Sequence, residues 1–506
     1  MKAPLAEWTA LHPAALAYAR GELDLPAASS FSGARSPALA EVLAECNRGW
    51  GNPVDRVIES WLGGAVAIVT GQQPGLLGGP LLTLVKACAV AAEVKRLRAA
   101  GVEAVGFLWL ATADDDLPEM GTARVVVGDE ILAAREADWV RGVSLAGPAT
   151  LGPACATLLA TLAERLPAAY AQEAVALAAH CYRPGASLGE ATGSFLGRLL
   201  AGAGVVLVDA LAPALAQAAA PAVDVLLGRL PAAWEALRAG ERELAARGWP
   251  LPLKLNEYIL PVFRRESHRR RRLAAAGDDC PTAIRDEHAA HPERFLPNVW
   301  LRPLVQDAAL GAATAILGGA ELAYHIEAMR LWELAGVARP EWRLRPHVTL
   351  VTNAERRLIR QLGIEPHHLL HAAPPRHLLA GAGVRRALAR LRRTVEREGE
   401  ALRLVTGAEL PALQGDLEAT GARLEGALVW LEGRATAAAT RAADVEGKRW
   451  RRLRAFLRPA GHPQERYLSL LAPLLRLGVS WPQQLVARLD PTDPGMHLLF
   501  WEEGEW

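Results

Sequence analysis

The sequence has few cysteines, and none of them forms a structural pattern. The five cysteines lie far apart in the 506-residue chain, and no CxxC pair is present. An odd number of scattered cysteines argues against both a disulfide framework and a structural zinc site. The sequence therefore predicts a cytoplasmic protein that keeps its thiols reduced.

Long apolar runs are missing too. No apolar run reaches the length of about 18 residues that a membrane-spanning helix needs. The first 25 residues contain no continuous apolar segment followed by a cleavage site, so we predict no signal peptide. Neither a membrane span nor a secreted form is expected.

The chain also lacks an excess of charge of either sign. It has 56 basic and 55 acidic residues, for a net charge of +1. Such a balance argues against the broad positive surface of a nucleic-acid-binding protein. The one basic run, RRRR at 269–272, is interpreted as a solvated loop.

Several standard signatures are absent. The sequence contains no GxGxxG next to a predicted strand, no GxxxxGK[ST] and no cysteine-protease motif. One histidine group has helical spacing but no obvious carboxylate or cysteine partner, and we predict no metal site there. It consists of His367, His368, His371 and His377.

What the chain does contain is an α/β pattern. An apolar strand at 65–71, a Gly/Gln turn, a helix from about Pro80 to Ala100 and a second strand at 104–111 predict a βαβ unit. A further helix and the strand VVLVD follow at 188–209, and two helices flank a short strand at 296–335. These elements predict a parallel-sheet core, with a β-hairpin or meander after residue 250.

The region from 382 to 456 has a different pattern. Apolar residues recur at spacings of three and four, and then every seven residues between charged flanks. This predicts the two helices of an antiparallel coiled-coil hairpin. The alternative is an ordinary helical bundle packed on the core. The predicted domains are a core at 1–378, the hairpin at 379–457 and a segment at 458–506 that packs back on the core.

Polar residues follow three of the predicted strands. They are Thr70–Gln73 after the first strand, Asp114–Asp116 after the second, and Asp209 at the end of VVLVD. Ligands of open parallel sheets bind at the carboxyl ends of the strands. Three such tips on one edge would form a single binding site.

The Gly/Gln turn could hold a ligand. Gly71 and Gly75 would let the backbone approach it, Gln72 and Gln73 both donate and accept hydrogen bonds, and Lys86 supplies a positive charge. A helix starting at Pro80 would present free N–H groups to an anion. The alternative is a tight corner with exposed glutamines.

Two further groups carry chemistry. Asp114–Asp116 would be hydrated, paired with arginine or bound to a cation, or one of them would act as a base for an amine; otherwise they form a solvated loop. Arg302 could clamp a carboxylate or phosphate, with Gln306 and Asp307 nearby, unless it forms a structural ion pair. Glu321 and Tyr324 share one helix face beyond the Gly318–Gly319 turn.

Five ordered segments carry a family resemblance: TGQQPGLLGGPLLTLVKA, FLWLATADDDLPE, FLPNVWLRPLVQD, GGAELAYH and PQERYLSLLAPLL. Together they resemble the cysteine ligase family of bacillithiol biosynthesis (BshC), through nearly the whole chain. The resemblance implies a Rossmann-like core related to nucleotidyltransferase-type ligases and a coiled-coil domain that forms a homodimer. It also implies that cysteine is joined to glucosaminyl-malate.

The resemblance implies site residues as well. Catalytic roles are expected for Asp114, Asp116, Arg302, Glu321 and Tyr324. Substrate or nucleotide binding is expected for Gly71, Gln72, Gln73, Gly75, Pro80, Thr83, Lys86, Asp209, Gln306, Asp307 and Gly319. Gln72, Gln73 and the Pro80 helix would bind the nucleotide or the malate end, the aspartates a metal-bound or amino group, and Arg302 a carboxylate.

The chain departs from the family at several positions. The family's Glu-Asp-His-Asp after the second strand reads Ala113, Asp114, Asp115, Asp116 here, so the glutamate and the histidine are missing. Leu77, Leu82 and Val85 replace aromatic residues, and His325 follows Tyr324 where the family has another aromatic residue. A non-catalytic scaffold dimer or a ligase for another amine is therefore an alternative.

No cofactor can be named from a motif. A carboxylate is a poor electrophile and normally needs activation, for example as an adenylate. ATP with Mg²⁺ is thus implied by the chemistry of amide formation, not by a motif in the sequence.

Overall fold

The computed structural model describes residues 2–3, 11–23, 25–29, 31, 33–277, 279–365, 369 and 382–501. The chain divides into two compact units, Met1–Val351 with His462–Trp506, and Thr352–Gly461. The histidine group at 367–377 lies outside the described residues. The predicted domain boundaries at 378 and 457 stay a prediction.

The described strands are numbered in chain order. They are β1 (Lys2–Ala3), β2 (Val66–Gln72), β3 (Ala104–Leu110), β4 (Thr122–Val127), β5 (Glu130–Arg135), β6 (Val205–Asp209), β7 (Ile259–Glu266), β8 (Arg269–Ala274), β9 (Phe295–Pro297), β10 (Ala312–Leu317), β11 (Glu341–Leu344), β12 (His347–Thr352) and β13 (Met496–Trp501).

The described α-helices are numbered in the same way. They are α1 (Pro13–Ala19), α2 (Pro37–Gly49), α3 (Asp55–Leu62), α4 (Leu82–Ala99), α5 (Leu117–Met120), α6 (Ala154–Arg165), α7 (Ala169–Cys181), α8 (Leu188–Leu200), α9 (Pro213–Gly228), α10 (Leu230–Ala246), α11 (Thr282–Ala290), α12 (Arg302–Leu310), α13 (Gly319–Ala328), α14 (Arg330–Ala335), α15 (Asn353–Leu362), α16 (Ala382–Glu409), α17 (Gln414–Leu457), α18 (Gln464–Tyr467), α19 (Leu471–Leu477) and α20 (Trp481–Arg488).

A five-stranded sheet forms the centre of the first unit. Its strand order is β11-β10-β2-β3-β6, and every neighbouring pair is parallel. All seven residues of β3 are buried, as expected for a parallel strand that is covered on both faces. The predicted α/β fold with a parallel-sheet core is confirmed.

Helix α4 lies on one face of this sheet and is buried nearly all round. Every residue from Leu82 to Val94 is buried, because α4 packs on β2 and β3 and is covered by α20. The helix runs from Leu82 to Ala99, within two residues of the predicted bounds near Pro80 and Ala100. Pro80 forms a β-bridge with Ser469, which holds the preceding loop in an extended conformation.

Two buried asparagines protect the edge strand β6. Asn47 on α2 donates to the carbonyl of Leu207 at 2.8 Å and accepts from its N–H at 3.0 Å, and Asn52 donates to the carbonyl of Val205 at 2.8 Å. Unpaired strand edges invite aggregation, and side-chain amides satisfy these backbone groups instead. This fixes β6 beside β3.

The basic run at 269–272 belongs to a strand, and the prediction of a solvated loop is wrong. Strand β8 pairs with β7 in an antiparallel hairpin, with Arg265 opposite Arg270, and β9 completes a three-stranded sheet on the other side of β7. Side chains alternate between the two faces of a strand, so neighbouring arginines point in opposite directions.

The segment after residue 462 is clamped onto the first unit by buried side chains. Gln464 accepts from the N–H of Leu350 at 2.8 Å and donates to its carbonyl at 3.2 Å. Glu465 accepts two hydrogen bonds from Arg345, at 2.6 and 2.9 Å, and one from the N–H of Val348 at 2.9 Å. These bonds fix the backbone of the segment next to the sheet.

The second unit contains a hairpin of two long helices, α16 and α17, joined at Pro411–Leu413. Arg392 pairs with Glu425 at 2.9 Å and with Glu432 at 3.4 Å, which requires the two helices to run antiparallel. The predicted coiled-coil hairpin is confirmed. Within the described part of the chain, no helix combines the length and the apolar character needed to span a bilayer.

Candidate functional site

The carboxyl ends of β2, β3 and β6 meet at one edge of the sheet, because the three strands are adjacent and parallel. A cavity of about 1340 Å³ opens there. The structure brings most of the predicted residues to its wall: Gly71, Gln72, Gln73, Gly75, Pro80, Lys86, Asp114, Asp116, Arg302, Gly319, Glu321 and Tyr324. Residues far apart in sequence thus form one site.

The Gly/Gln turn is packed tightly against itself. A Cβ on Gly75 would lie 2.7 Å from the Cα of Gly79, so only glycine allows this approach. The buried hydroxyl of Tyr182 accepts from the N–H of Gly78 at 2.7 Å and donates to the carbonyl of Gly75 at 2.9 Å. These glycines form the corner itself, and its two glutamine side chains line the cavity.

Lys86 and Glu321 form a buried ion pair in the cavity wall. The Lys86 ammonium lies 2.5 Å from the Glu321 carboxylate and also donates to the carbonyl of Gly71 at 2.6 Å and to the Gln72 amide oxygen at 3.1 Å. Burial alone would raise the pKa of Glu321, but Lys86 and Arg302 lower it, so Glu321 stays ionised. Lys86 therefore orients Gln72 from beneath the turn.

Glu321 also caps its own helix. It accepts from the N–H of Gly318 at 2.7 Å, at the start of α13. A Cβ on Gly319 would lie 2.5 Å from a Leu11 methyl carbon, so the Leu11 side chain would have to shift. Gly319 thus packs against Leu11 in addition to its place in the wall.

Arg302 and Tyr324 present a second pair of donors. Arg302 donates to the Tyr324 hydroxyl at 2.5 Å. Burial raises the pKa of Tyr324 to about 12, although Arg302 opposes the shift, so the phenol keeps its proton. With its oxygen occupied by Arg302, the hydroxyl hydrogen is free to donate to a ligand.

Asp114 is held by the protein on both sides. Its two oxygens accept from the Gln73 amide at 2.6 Å and from the N–H of Asp115 at 2.7 Å. Arg270 lies 3.4 Å from Asp114 and 2.5 Å from Asp115. The predicted proximity of Gln73 to the acidic tip is a direct contact.

Asp116 is paired with Arg141, whose side chain is largely exposed. Because the Arg141 side chain extends into solvent, a ligand can replace it as the partner of Asp116. Within the described ranges, no group of three or more His, Cys, Asp or Glu side chains is arranged to hold a metal ion. The arginine-paired aspartates therefore do not fit a magnesium site built by protein side chains alone.

Four predicted site residues are not among those lining the cavity: Thr83, Asp209, Gln306 and Asp307. Asp209 accepts from the Thr112 hydroxyl and from the N–H of Leu211, the latter at 2.9 Å. Asp307 is buried and accepts from the Trp332 indole at 2.9 Å. These four residues lie behind the cavity wall, and their expected ligand contacts stay a prediction.

Sequence reasoning missed several cationic residues of the site. Arg270 comes from the run that was interpreted as a loop, and Arg345 and Arg466 come from segments distant in sequence. Had residues 269–272 been predicted as a strand, alternate arginines would have been expected on the same face of the sheet. The PQER segment was noticed for its resemblance only, and its position beside the turn depends on tertiary contacts.

Comparison with known proteins places the chain in a family. The pattern described as "Bacillithiol biosynthesis BshC, N-terminal Rossmann-like domain" matches residues 26–346. The chain belongs to the BshC family. A second BshC pattern, the C-terminal coiled-coil domain, matches residues 379–501.

Curated BshC relatives cover most of the chain. A protein of Solibacter usitatus named "Putative cysteine ligase BshC" is 29% identical over 84% of this chain and 83% of its own. Proteins of the same name from Thermus thermophilus and Shouchella clausii are 30% and 24% identical, over 81% and 86% of this chain and 84% of each relative.

Two positions at which the sequence is expected to depart from the family have clear structural partners. Asp115 forms an ion pair with Arg270. His325 is buried against Tyr324, with ring centroids 5.0 Å apart, and burial lowers the pKa of His325 to about 3. The imidazole is therefore neutral and acts as an aromatic packing residue.

Proposed function

We propose that this protein is a ligase that joins the carboxylate of L-cysteine to the amine of glucosaminyl-malate, forming an amide bond and completing bacillithiol. The observation that carries the proposal is the convergence of three strand tips and of α12 and α13 on one cavity of about 1340 Å³. Membership of the BshC family, whose curated members are named cysteine ligases, supports the same reaction.

The wall offers suitable partners for both substrates. Arg302 and the Tyr324 hydroxyl would bind a substrate carboxylate or stabilise the negative oxygen that develops when the amine attacks. Gln72 and Gln73, oriented by Lys86 and Asp114, would hold the sugar and malate hydroxyl groups. Asp116, with its exchangeable partner, would attract the substrate ammonium group and accept its proton.

Activation of the cysteine carboxylate would be supplied by a nucleotide such as ATP. The cationic side chains of the wall, with Arg302 among them, fit a phosphate chain. Magnesium would then be held chiefly by the phosphates, since a dedicated protein site does not fit the paired aspartates.

Genetic complementation tests the proposal. The chain is expressed in a bacterial strain that lacks its cysteine-adding enzyme, and bacillithiol is measured by thiol labelling. We expect rescue by the wild type and at least about a hundredfold less thiol with Arg302→Ala, because one lost transition-state donor costs about 10²–10³ in rate. Arg48→Ala is the matched control, since Arg48 pairs with Asp55 on the surface.

One observation supports a second candidate function. Asp115 and Arg270 occupy the acidic tip with an ion pair, so this chain could be a non-catalytic binding or scaffold dimer, or a ligase for another amine. Failure of the wild type to restore bacillithiol, despite normal protein levels, would favour that candidate. Rescue by Ala113→Glu with Asp115→His would then assign the cause to those two positions.

We also propose a homodimer formed through the α16–α17 hairpin and a cytoplasmic location. Several apolar residues of the hairpin are exposed, among them Leu391, Val405, Leu424 and Leu431. Exposed heptad residues are the usual interface of coiled coils. The scattered reduced cysteines support the location.

A further inference from the structure

The cavity lining is cationic, although the chain as a whole is nearly neutral. Among the described residues, ten Lys and Arg side chains line the cavity against six Asp and Glu side chains. Protein carboxylates hold four of these cations: Lys86, Arg141, Arg270 and Arg345. The positive charge that is left favours the binding of an anion from solution.

Arg466 is the cation that the fold presents most directly. Its neighbours Gln464 and Glu465 are fully buried and bonded to Leu350, Arg345 and Val348, so the backbone at this point is fixed. The Arg466 side chain is exposed, lines the cavity, and makes no hydrogen bond or ion pair within the part of the chain that the structure describes. Gln464 and Glu465 thus fix the segment, and the side chain of Arg466 is available to bind a ligand.

A second guanidinium group lines the same cavity. Arg124 on β4 stacks on the ring of Tyr467, 4.6 Å from its centroid, and its carbonyl accepts from the N–H of Ser469 at 2.8 Å. Stacking on an aromatic face leaves the N–H edges of a guanidinium free for an anion. Arg124, Tyr467 and Ser469 all line the same cavity.

We propose that Arg466 and Arg124, which line the same cavity as Tyr467, form an anion-binding subsite for a phosphate or carboxylate group of a substrate. The subsite deepens the proposed ligase function and rests on it for its place in the reaction. The forked N–H groups of arginine match two oxygens of either anion, and a nucleotide phosphate chain and a dicarboxylate such as malate both supply them. Neither residue was among the candidates that the sequence suggested.

Direct binding measurements test the subsite independently of ligase activity. Isothermal titration of the full-length protein would use pyrophosphate, ATP and L-malate as probes. We expect Arg466→Gln and Arg124→Gln to weaken at least one probe by tenfold or more. Arg466→Lys should bind with intermediate affinity, because it keeps the charge but loses the fork. Arg48→Gln, which removes the same charge from the surface, should bind like the wild type.

The pattern of losses identifies the ligand. Loss for pyrophosphate and ATP alone assigns the subsite to a nucleotide, and loss for L-malate alone assigns it to the substrate carboxylates. The proposal is overturned if the wild type binds none of the probes, or if Arg466→Gln and Arg124→Gln, with unchanged circular dichroism, bind every probe like Arg48→Gln. A protein that binds normally but yields no thiol would count against the ligase function, and not against the subsite.

Discussion

Asp307 illustrates how a motif residue can serve the protein interior. Its carboxyl group is buried, accepts from the Trp332 indole at 2.9 Å and from the Gln306 amide at 3.4 Å, and does not line the cavity. Burial raises the pKa of Asp307 to about 7, although these hydrogen bonds and Arg302 oppose the shift. A carboxyl group in this position supports α12, which carries Arg302.

The raised pKa of Asp307 predicts a pH dependence of stability. Because the folded protein binds this proton more tightly than the unfolded chain, the stabilisation is complete below about pH 4 and is lost as the pH rises through about 7. Urea unfolding at several pH values should show the wild type losing up to about 1.4 kcal/mol per pH unit relative to Asp307→Asn. Parallel profiles for the two proteins would contradict the assignment.

At this scale the sequence predicts residue identity better than residue orientation. Gln73, Asp114 and Asp209 were all expected at one sheet edge, since three parallel strands end there. Only tertiary contacts decide that Gln73 and Asp114 bond to each other while Asp209 turns to Thr112. The hydrogen-bond partner of each side chain depends on residues that are distant in sequence, so a local sequence pattern does not predict it.

At the level of elements, Gln464 and Glu465 of the PQER segment form a clamp that binds the segment to β12 and to Arg345. Glu465 satisfies Arg345, His347 and the N–H of Val348 at once, all of them buried. Burial would raise the pKa of Glu465, but Arg345 and His347 lower it far below its ordinary value, so the carboxylate is charged. The clamp holds Arg466 in the cavity wall.

Neutralising the clamp should destabilise the protein strongly. Glu465→Gln leaves the Arg345 guanidinium buried without a counter-ion, which typically costs about 3–5 kcal/mol. The surface variant Asp55→Asn, which breaks the exposed Arg48–Asp55 pair, should change the free energy of unfolding by less than about 1 kcal/mol. Similar unfolding curves for the two variants would refute the clamp.

The α16–α17 hairpin should carry the dimer contact. Leu424→Glu combined with Leu431→Glu places charges on exposed heptad positions and should convert a dimer to a monomer in light scattering after size exclusion. Leu404→Glu is the control, because Leu404 is exposed but lies outside the heptad rows. A wild type that is monomeric at micromolar concentration would rule out the homodimer.

Elements with strong periodicity were predictable. The apolar strands, the α4 helix and the long hairpin follow from runs and repeats that only one secondary structure explains. Strand β8 was not predictable, because RRRR has the same composition in a loop and in a solvent-facing strand. Its pairing with β7 is not evident from the composition of the run. This pairing brings Arg270 to Asp115.

For the molecule as a whole, the structure joins three distant parts of the chain around one cavity: the sheet tips, helices α12 and α13, and the segment after residue 462. The cationic lining and the paired carboxylates suit two charged substrates and an activating phosphate chain. An amide ligase accounts for all of these features together, and a scaffold protein would need none of them.

The most direct test of this account is mass spectrometry of the purified wild-type protein incubated with isotope-labelled cysteine, glucosaminyl-malate, ATP and Mg²⁺. The account predicts a labelled product equal to the two substrates minus one water, formed by the wild type and by Arg48→Ala but lost in Arg302→Ala. Folded wild-type protein that yields no such product with any nucleoside triphosphate would contradict it.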